Sequence, residues 1–424
     1  MKQLRVLLVA PECPWPVDLG LKTHLFHIIR ELASSADLTV YGFYFSEPER
    51  LRWQELARQL GFVLAGLSPV HAGPRLRWGQ LNCLLTGRPL AEARYAVAAA
   101  RRAVGECVEQ AARDGHPFDW VAYEVFHSVM GQQLALQRAA PRRLLFPVDC
   151  YSLYYARMHQ HASSTGEWLR TLYLSWTCAR MERRLYPQMD LIATVADADA
   201  AALRRQIPGV RVEVVPVPVP DRPQRRPQLA PRQTPRVLVG GFFGMPTIAR
   251  DTRLFLEAWA NQPDRPPAQL IVWGRGGAAA GLEGAARRAG AELVEWVEEY
   301  DGFLAAADVY VYPQSFACGV QTKIQQAMRA GLAVLAAPVV MDPLGVRHGE
   351  SGWTISGPRA AAGDLRELLR NPAQIDRLGA AAAALMRERF APELVGRQLR
   401  DLLDAAPPAV LAPEGCSHDH LLSR

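Results

Sequence analysis

Residues 309–331 read Val-Tyr-Val-Tyr-Pro-Gln-Ser-Phe-Ala-Cys-Gly-Val-Gln-Thr-Lys-Ile-Gln-Gln-Ala-Met-Arg-Ala-Gly. Val309–Tyr312 has the β-branched and aromatic character of a buried strand, and Pro313 ends it. From Thr322 to Ala330 apolar residues recur at helical spacing. A strand that feeds a helix through a loop is half of a parallel βαβ unit, and in such sheets ligands bind beyond the carboxyl ends of the strands. A helix starting near Thr322 would point its free amides at an anion, and Lys323 and Gln326, three apart, share one face near its start. The competing reading is a surface lysine on an ordinary polar helix face.

The same alternation extends in both directions. Before it, Arg5–Ala10, Leu38–Tyr44, Trp120–Tyr123, Leu144–Val148, Leu191–Val195 and Val212–Val215 read as strands, with helical patterns at His24–Ser34, Glu92–Asp114, His127–Ala139, Glu167–Arg184 and Ala198–Gln206. Seven prolines fall between Pro216 and Pro235, which marks a connector. Beyond it, Val237–Gly240, Leu270–Trp273, Leu293–Val297 and Val334–Ala337 are further strands. Thr252–Ala260, Leu282–Ala289 and Ala361–Leu369 are helices between them. The expectation is an α/β protein with two doubly wound, Rossmann-like parallel-sheet domains, 1–216 and 236–390. They are joined by a linker at 217–235. A helix at 391–405 crosses back to the first domain, and a flexible tail occupies 406–424.

Composition narrows the function classes. The 424 residues are 49% hydrophobic and 21% charged, which suits ordinary globular domains. No apolar run is long enough to span a bilayer, and Met1–Ala10 reads as a strand rather than a leader. Seven scattered cysteines without a C-x-x-C pair fit a reduced cytoplasm. The net charge is +6, but acids interleave the bases, as in Arg180-Met-Glu-Arg-Arg184, so no nucleic-acid partner is expected. Only Lys2, Lys22 and Lys323 among the 48 basic residues are lysines, so each surviving lysine draws notice. The stretches Trp78–Arg102 and Tyr151–Arg184 mix arginine with Trp, Tyr and Leu, which reads either as peripheral contact with the inner face of a membrane or as helices packed on a sheet. The tail Cys416-Ser-His418-Asp-His420 has metal-like residues but is too short for a closed site, and no metal is expected.

Two more loops follow predicted strands. Pro11-Glu-Cys-Pro-Trp-Pro-Val-Asp18-Leu-Gly20-Leu-Lys22-Thr-His24 combines a permissive glycine, a lysine and a helix start. Trp273-Gly274-Arg275-Gly276-Gly-Ala-Ala279 satisfies G-x-G-x-x-A, with Glu292 near the spacing of a ribose-binding acid. That admits a dinucleotide fingerprint, against which stands a plain tight turn beside a nucleotide.

Taken in order, several segments resemble the retaining GT-B glycosyltransferases of family 4, in the bacterial branch associated with exopolysaccharide and exosortase loci. They are Pro16 to Lys22 with His27 and Arg30, Glu182-Arg-Arg184, Asp190 to Val195, Val214-Val-Pro216, and Ile271 to Gly276. Phe303 to Asp308, Gly319 to Lys323, Ala327 to Gly331 and Gly349-Glu-Ser-Gly352 complete the set. The resemblance implies a GT-B fold, its two domains facing across a cleft, and sugar transfer from a nucleotide-sugar donor with no other cofactor. The acceptor would be a glycan, a lipid-linked sugar or a small molecule. Gly20 and Lys22, with Asp18, would line the acceptor side and approach the donor phosphate. Gly274, Arg275 and Gly276 would lie beside the nucleotide, and the backbone at Trp296 and Val297 would meet the base. The amides of Gly319, Val320, Gln321 and Thr322 would hold the diphosphate, with Lys323 as its cation. The family's E-x7-E acids fall on Cys318 and Gln326, and both are absent here. Glutamine can still hydrogen-bond a ribose hydroxyl. Val217-Pro218 replaces the family's Asn-Gly, and only Gly20 remains of its Gly-Gly pair.

Glu124 and His127, just after strand Trp120–Tyr123, are candidates for contacting the transferred sugar or acceptor, against a loop acid and a partly buried histidine. Asp149 is a further candidate. Cys318 could be a thiol nucleophile at a helix start, but no histidine lies near it in sequence. The alternatives are a catalytically degenerate GT-B protein that binds a nucleotide or partner, a nucleotide-sugar epimerase, and a nicotinamide enzyme.

Overall fold

The computed structural model describes residues 4–17, 20–125, 141–162, 164–220 and 234–405. Asp18, His127, the helical pattern His127–Ala139, most of the proline-rich connector and the 406–424 tail lie outside the described residues.

Among the described residues, thirteen strands form two sheets in which every pairing is parallel. The first contains β1 (Arg5–Ala10), β2 (Asp37–Tyr44), β3 (Val63–Pro69), β4 (Trp120–Glu124), β5 (Arg142–Val148), β6 (Leu191–Thr194) and β7 (Val212–Val214), in spatial order 3-2-1-4-5-6-7. The second contains β8 (Arg236–Gly240), β9 (Gln269–Trp273), β10 (Ala291–Val294), β11 (Val309–Tyr312), β12 (Ala333–Ala336) and β13 (Trp353–Thr354), in order 10-9-8-11-12-13. Central strands are buried along nearly their whole length, as in β1 and β12, because helices cover both faces. In each sheet the order reverses once, between β1 and β4 and between β8 and β11. Those reversals open crevices at the carboxyl ends of the strands.

The helix Pro392–Asp404 returns to the first domain. Val395, Leu399 and Leu403 join the core under β1, and Gln398 Nε2 donates to the Val214 carbonyl at 2.7 Å. The chain therefore passes between the domains twice. The passages are tied together where Val219 N–H donates to the Phe390 carbonyl at 2.8 Å.

Three local expectations are corrected. The Glu92–Asp114 pattern is two helices, Glu92–Tyr95 and Ala98–Arg113, because Val97 adopts an extended conformation while Tyr95 and Val97 both turn into the core. The Leu293–Val297 strand stops at Val294. Past it the chain loops outward, and Glu295 accepts the Ala278 amide at 2.9 Å. The first helix begins at Gly20, four residues before the expected His24, so its start reaches the cleft.

Candidate functional site

The loops after β1 and β11 meet where the two reversals face each other. The helix Gly20–Ser35 and the helix Thr322–Arg329 begin side by side: a Cβ added at Gly20 would lie 3.5 Å from Thr322 Oγ1. The peptide dipoles of a helix sum to a positive end at its N-terminus, so both helices direct positive dipole ends toward one place. Lys22 sits half-buried on the first turn of one helix and Lys323 on the first turn of the other.

Lys323 is held over an aromatic floor. Its Nζ lies 4.7 Å from the centroid of Trp273, at the end of β9. Burial, reinforced by the charge of Arg275, lowers its pKa from 10.5 to about 8. Arg275 stacks 4.6 Å over Trp296, whose indole is 59% exposed. Gln326 is half-buried one turn beyond Lys323. Its neighbour Gln325 is buried and structural, donating to the Val217 carbonyl at 3.1 Å.

Gly274 and Gly276 owe their identity to packing. Gly274 has φ +136°, and a Cβ there would collide with the Gly241 carbonyl. The turn is laced to the loop after β8 by Phe243 N–H to the Arg275 carbonyl at 3.0 Å. The next helix starts only at Glu283, so the turn does not lead directly into a helix as a dinucleotide fingerprint requires.

The loop Pro313–Gln321 is clamped from both domains. Asp251 Oδ2 accepts from the Ser315 amide at 2.9 Å and from its hydroxyl at 2.6 Å. Gln321 uses its side chain as a staple, accepting from Tyr312 Oη at 3.2 Å and donating to the Cys318 carbonyl at 3.0 Å. From the first domain, Arg157 donates to the Ala317 carbonyl at 3.0 Å and to Cys318 Sγ at 3.6 Å. Tyr154 and His161 pack against Phe316 with ring centroids 5.7 and 5.9 Å away. Burial pushes the Cys318 thiol up to about 12, opposite to the activation a nucleophile needs.

Two carboxylates of the first domain also reach this loop. Asp199 accepts from the amides of Cys150, at 2.8 Å, and Gly319. Asp149 Oδ1 occupies the space a Cβ at Gly319 would need, and Gly319 has φ +57°. Asp149 therefore lies against the expected phosphate loop rather than on a separate acceptor side. The Gly319 amide is already bonded in this arrangement. Val148, just before Asp149, has φ +65°, an outlier for a β-branched residue. Burial, with the Asp199 charge adding to it, raises Asp149 to about 7. A native pKa above the unfolded value makes stability fall as pH rises from about 4 to about 7, after which the penalty is complete. Asp149→Asn is accordingly expected to be more stable than the parent above pH 7 and to flatten that decline. Urea unfolding across pH measures both.

Glu124 is fully buried at the end of β4, on the strand and not in the loop that follows it. Its Oε1 pairs with His24 Nδ1 at 2.7 Å, and burial raises its pKa against the histidine's influence. His24 Nε2 is buried with no hydrogen-bond partner among the described residues, and the imidazole lies close enough to Asp149 to act on its charge. His27, one turn on, is a core residue whose pKa burial lowers to about 3. Glu182, in one of the resemblance segments, accepts the Ser152 amide at 3.1 Å and Gln206 Nε2 at 2.9 Å, which fixes the start of the helix Tyr151–Gln160. Among the described residues, no three His, Cys, Asp or Glu side chains come together in a way that could hold a metal ion.

Sequence reading missed His24, Arg157 and Asp199. Asp199 carried a usable signal, an acid in the first turn of the helix that follows a buried strand. His24 stood in the quoted loop, but its pairing with Glu124 depends on β1 lying beside β4.

Two parallel sheets facing across this cleft define the GT-B fold. Residues 236–371 match the family described as glycosyl transferases group 1, so the second domain carries that family's pattern. Among solved structures, a sucrose-phosphate synthase from Thermosynechococcus elongatus is similar at 17% identity and TM-score 0.66, covering 94% of this chain and 98% of that one. HepE from Anabaena, solved with UDP and glucose, is similar at 16% identity and TM-score 0.63, covering 94% and 99%. TarM is similar at 9% identity and TM-score 0.65, covering 95% and 99%. No curated protein matches the chain.

Proposed function

We propose that this protein transfers a sugar from a nucleotide-sugar donor to a hydroxyl acceptor, without a metal and with retention at the anomeric carbon. The observation that carries the reading is the meeting of two helix N-termini beside a desolvated lysine. Departure of a nucleoside diphosphate from the anomeric carbon builds negative charge on its phosphates. Preorganised amides and an ammonium stabilise that charge most where water is excluded. Lys323, the amides of Val320 to Lys323 and the start of the Gly20 helix supply this field. Lys22 and Arg275 add charge at its edges. Arg275 and Trp296 offer a stacking surface to the base, and Gln326 a hydrogen bond to the ribose. The likeness to HepE, solved with UDP and with UDP-glucose, supports a nucleotide-sugar donor.

His24 Nε2 would touch a hydroxyl of the transferred sugar or acceptor, with Glu124 positioning the ring through Nδ1. Asp149 and Asp199 move off Gly319 as the diphosphate takes its amide. The bonded Gly319 amide and the absent acids at Cys318 and Gln326 favour one second reading, a nucleotide-binding protein without turnover. A thermal-shift screen against UDP, GDP, ADP and dTDP sugars, followed by assay of released diphosphate, separates the two. A shift with release on adding acceptor supports transfer, and a shift with no release under any acceptor supports binding alone. The absence of any shift sinks both.

A further inference from the structure

Eight of the fifteen exposed large apolar side chains among the described residues fall on just two helices, Gly73–Thr86 and Thr165–Leu185. Trp78, Leu81 and Leu85 line one face of the first at spacings of three and four; Leu169, Leu172 and Trp176 do the same on the second. Leu85 is 80% exposed and Trp78 71%. A surface helix normally turns its apolar stripe inward. Here Cys83 is the one buried residue of the first helix, so the helix presents its leucines to the outside. The helices adjoin: Tyr173 Oη donates to the Cys83 and Arg88 carbonyls at 3.3 and 3.2 Å, and Trp176 packs on Gly87. The two stripes therefore lie on neighbouring helices.

Charge indicates what covers them. The first helix carries Arg75 and Arg77 and no acid. The second exposes Arg170, Arg180, Arg183 and Arg184, while Glu182 is buried inward and Glu167 is its one solvent-accessible acid. Tryptophan and leucine framed by six exposed arginines, against the single accessible acid Glu167, is the chemistry of a helix pair lying in the headgroup layer of a bilayer. No helix among the described residues is long and apolar enough to cross one. We infer that this face docks in the plane of an anionic lipid surface, with the aromatic and leucine side chains below the headgroups and the arginines on the phosphates. Docking here is independent of donor chemistry: the patch shares no residue with the proposed nucleotide site.

Flotation of the full chain with phosphatidylcholine vesicles, with and without phosphatidylglycerol, tests this in the absence of any nucleotide. The protein is expected to bind the anionic vesicles, and less so as salt rises. The double variant Trp78→Ser/Leu85→Ser should lose roughly tenfold or more in partitioning. Leu169→Ser/Leu172→Ser, on the other helix, should do the same, so misfolding of one variant leaves a second test. Arg75→Gln/Arg77→Gln should weaken the preference for phosphatidylglycerol, the four arginines of the second helix retaining part of it. No binding by the parent, or binding unchanged in both apolar variants, overturns the inference. So does a concentration-dependent dimer in sedimentation that the apolar variants dissolve while vesicles go unbound, which would assign the face to a second copy of the chain.

Discussion

Lys323→Met is expected to make the ligand-free protein more stable while abolishing its response to every nucleotide sugar. Burial lowers the Lys323 pKa from 10.5 to about 8. Below about pH 8 the ammonium is charged in both the folded and the unfolded chain, and the fold bears the full cost of desolvating it. Between 8 and 10.5 the folded protein alone has released the proton and the cost fades; above 10.5 nothing remains. The shift corresponds to about 3 kcal/mol at neutral pH, an upper bound for the gain because the Trp273 contact is lost with the charge. A neutral side chain of similar length should therefore raise Tm at pH 7 and show no advantage at pH 11. Differential scanning calorimetry at both pH values, with and without donor, measures this. A residue kept at a cost in stability is expected where charge serves a ligand. The parent's donor-induced shift should weaken as pH climbs through 8. A Lys323→Met protein that still shifts with donor would remove Lys323 from the site.

Glu124→Gln is expected to leave donor binding intact and to lower turnover by about 10²–10³. Truncating either partner of the buried Glu124–His24 pair to alanine would strand the other and cost about 3–5 kcal/mol, which would confound any kinetic reading. Glutamine keeps the shape and a hydrogen bond to Nδ1, but without the acid's charge it holds and orients the ring less firmly. The fall should appear in kcat, with KM for the donor within about twofold, because in the proposed reaction His24 touches the reacting sugar and not the diphosphate. Steady-state kinetics on whichever donor the screen selects would decide it. Unchanged kcat would make the pair a buried structural contact and nothing more.

The two sites differ in how far they could be read from the chain. Lys323 and the amides around it are adjacent in sequence, so a strand, a loop and a helix start placed them together without any tertiary information. The glycine turn at 274–276 was legible as a turn and misleading as a motif. Its glycines answer to the Gly241 loop, thirty-odd residues earlier, which only the β8–β9 pairing brings near. Glu124 looked like a loop acid because the strand was read one residue short, and one residue decides between the cleft and the core. The clamp of Arg157, Asp149 and Asp199 on the loop Pro313–Gln321 spans more than a hundred residues of sequence and was not legible at all.

Local pattern thus determined the parallel α/β architecture, the proline-rich passage between two halves and the lysine at a helix start. Hydrophobic periodicity and helix-end electrostatics act over a few residues and leave their mark in the order of the chain. Tertiary packing decided the rest: the pairing of β1 with β4 set which histidine gained a carboxylate, the docking of one sheet's loops against the other's set which amide was already engaged, and the packing of helices in the first domain set which leucines were left facing outward. Those outcomes depend on contacts between segments far apart in the chain, where shape and desolvation are set by both partners at once and neither segment alone records the result.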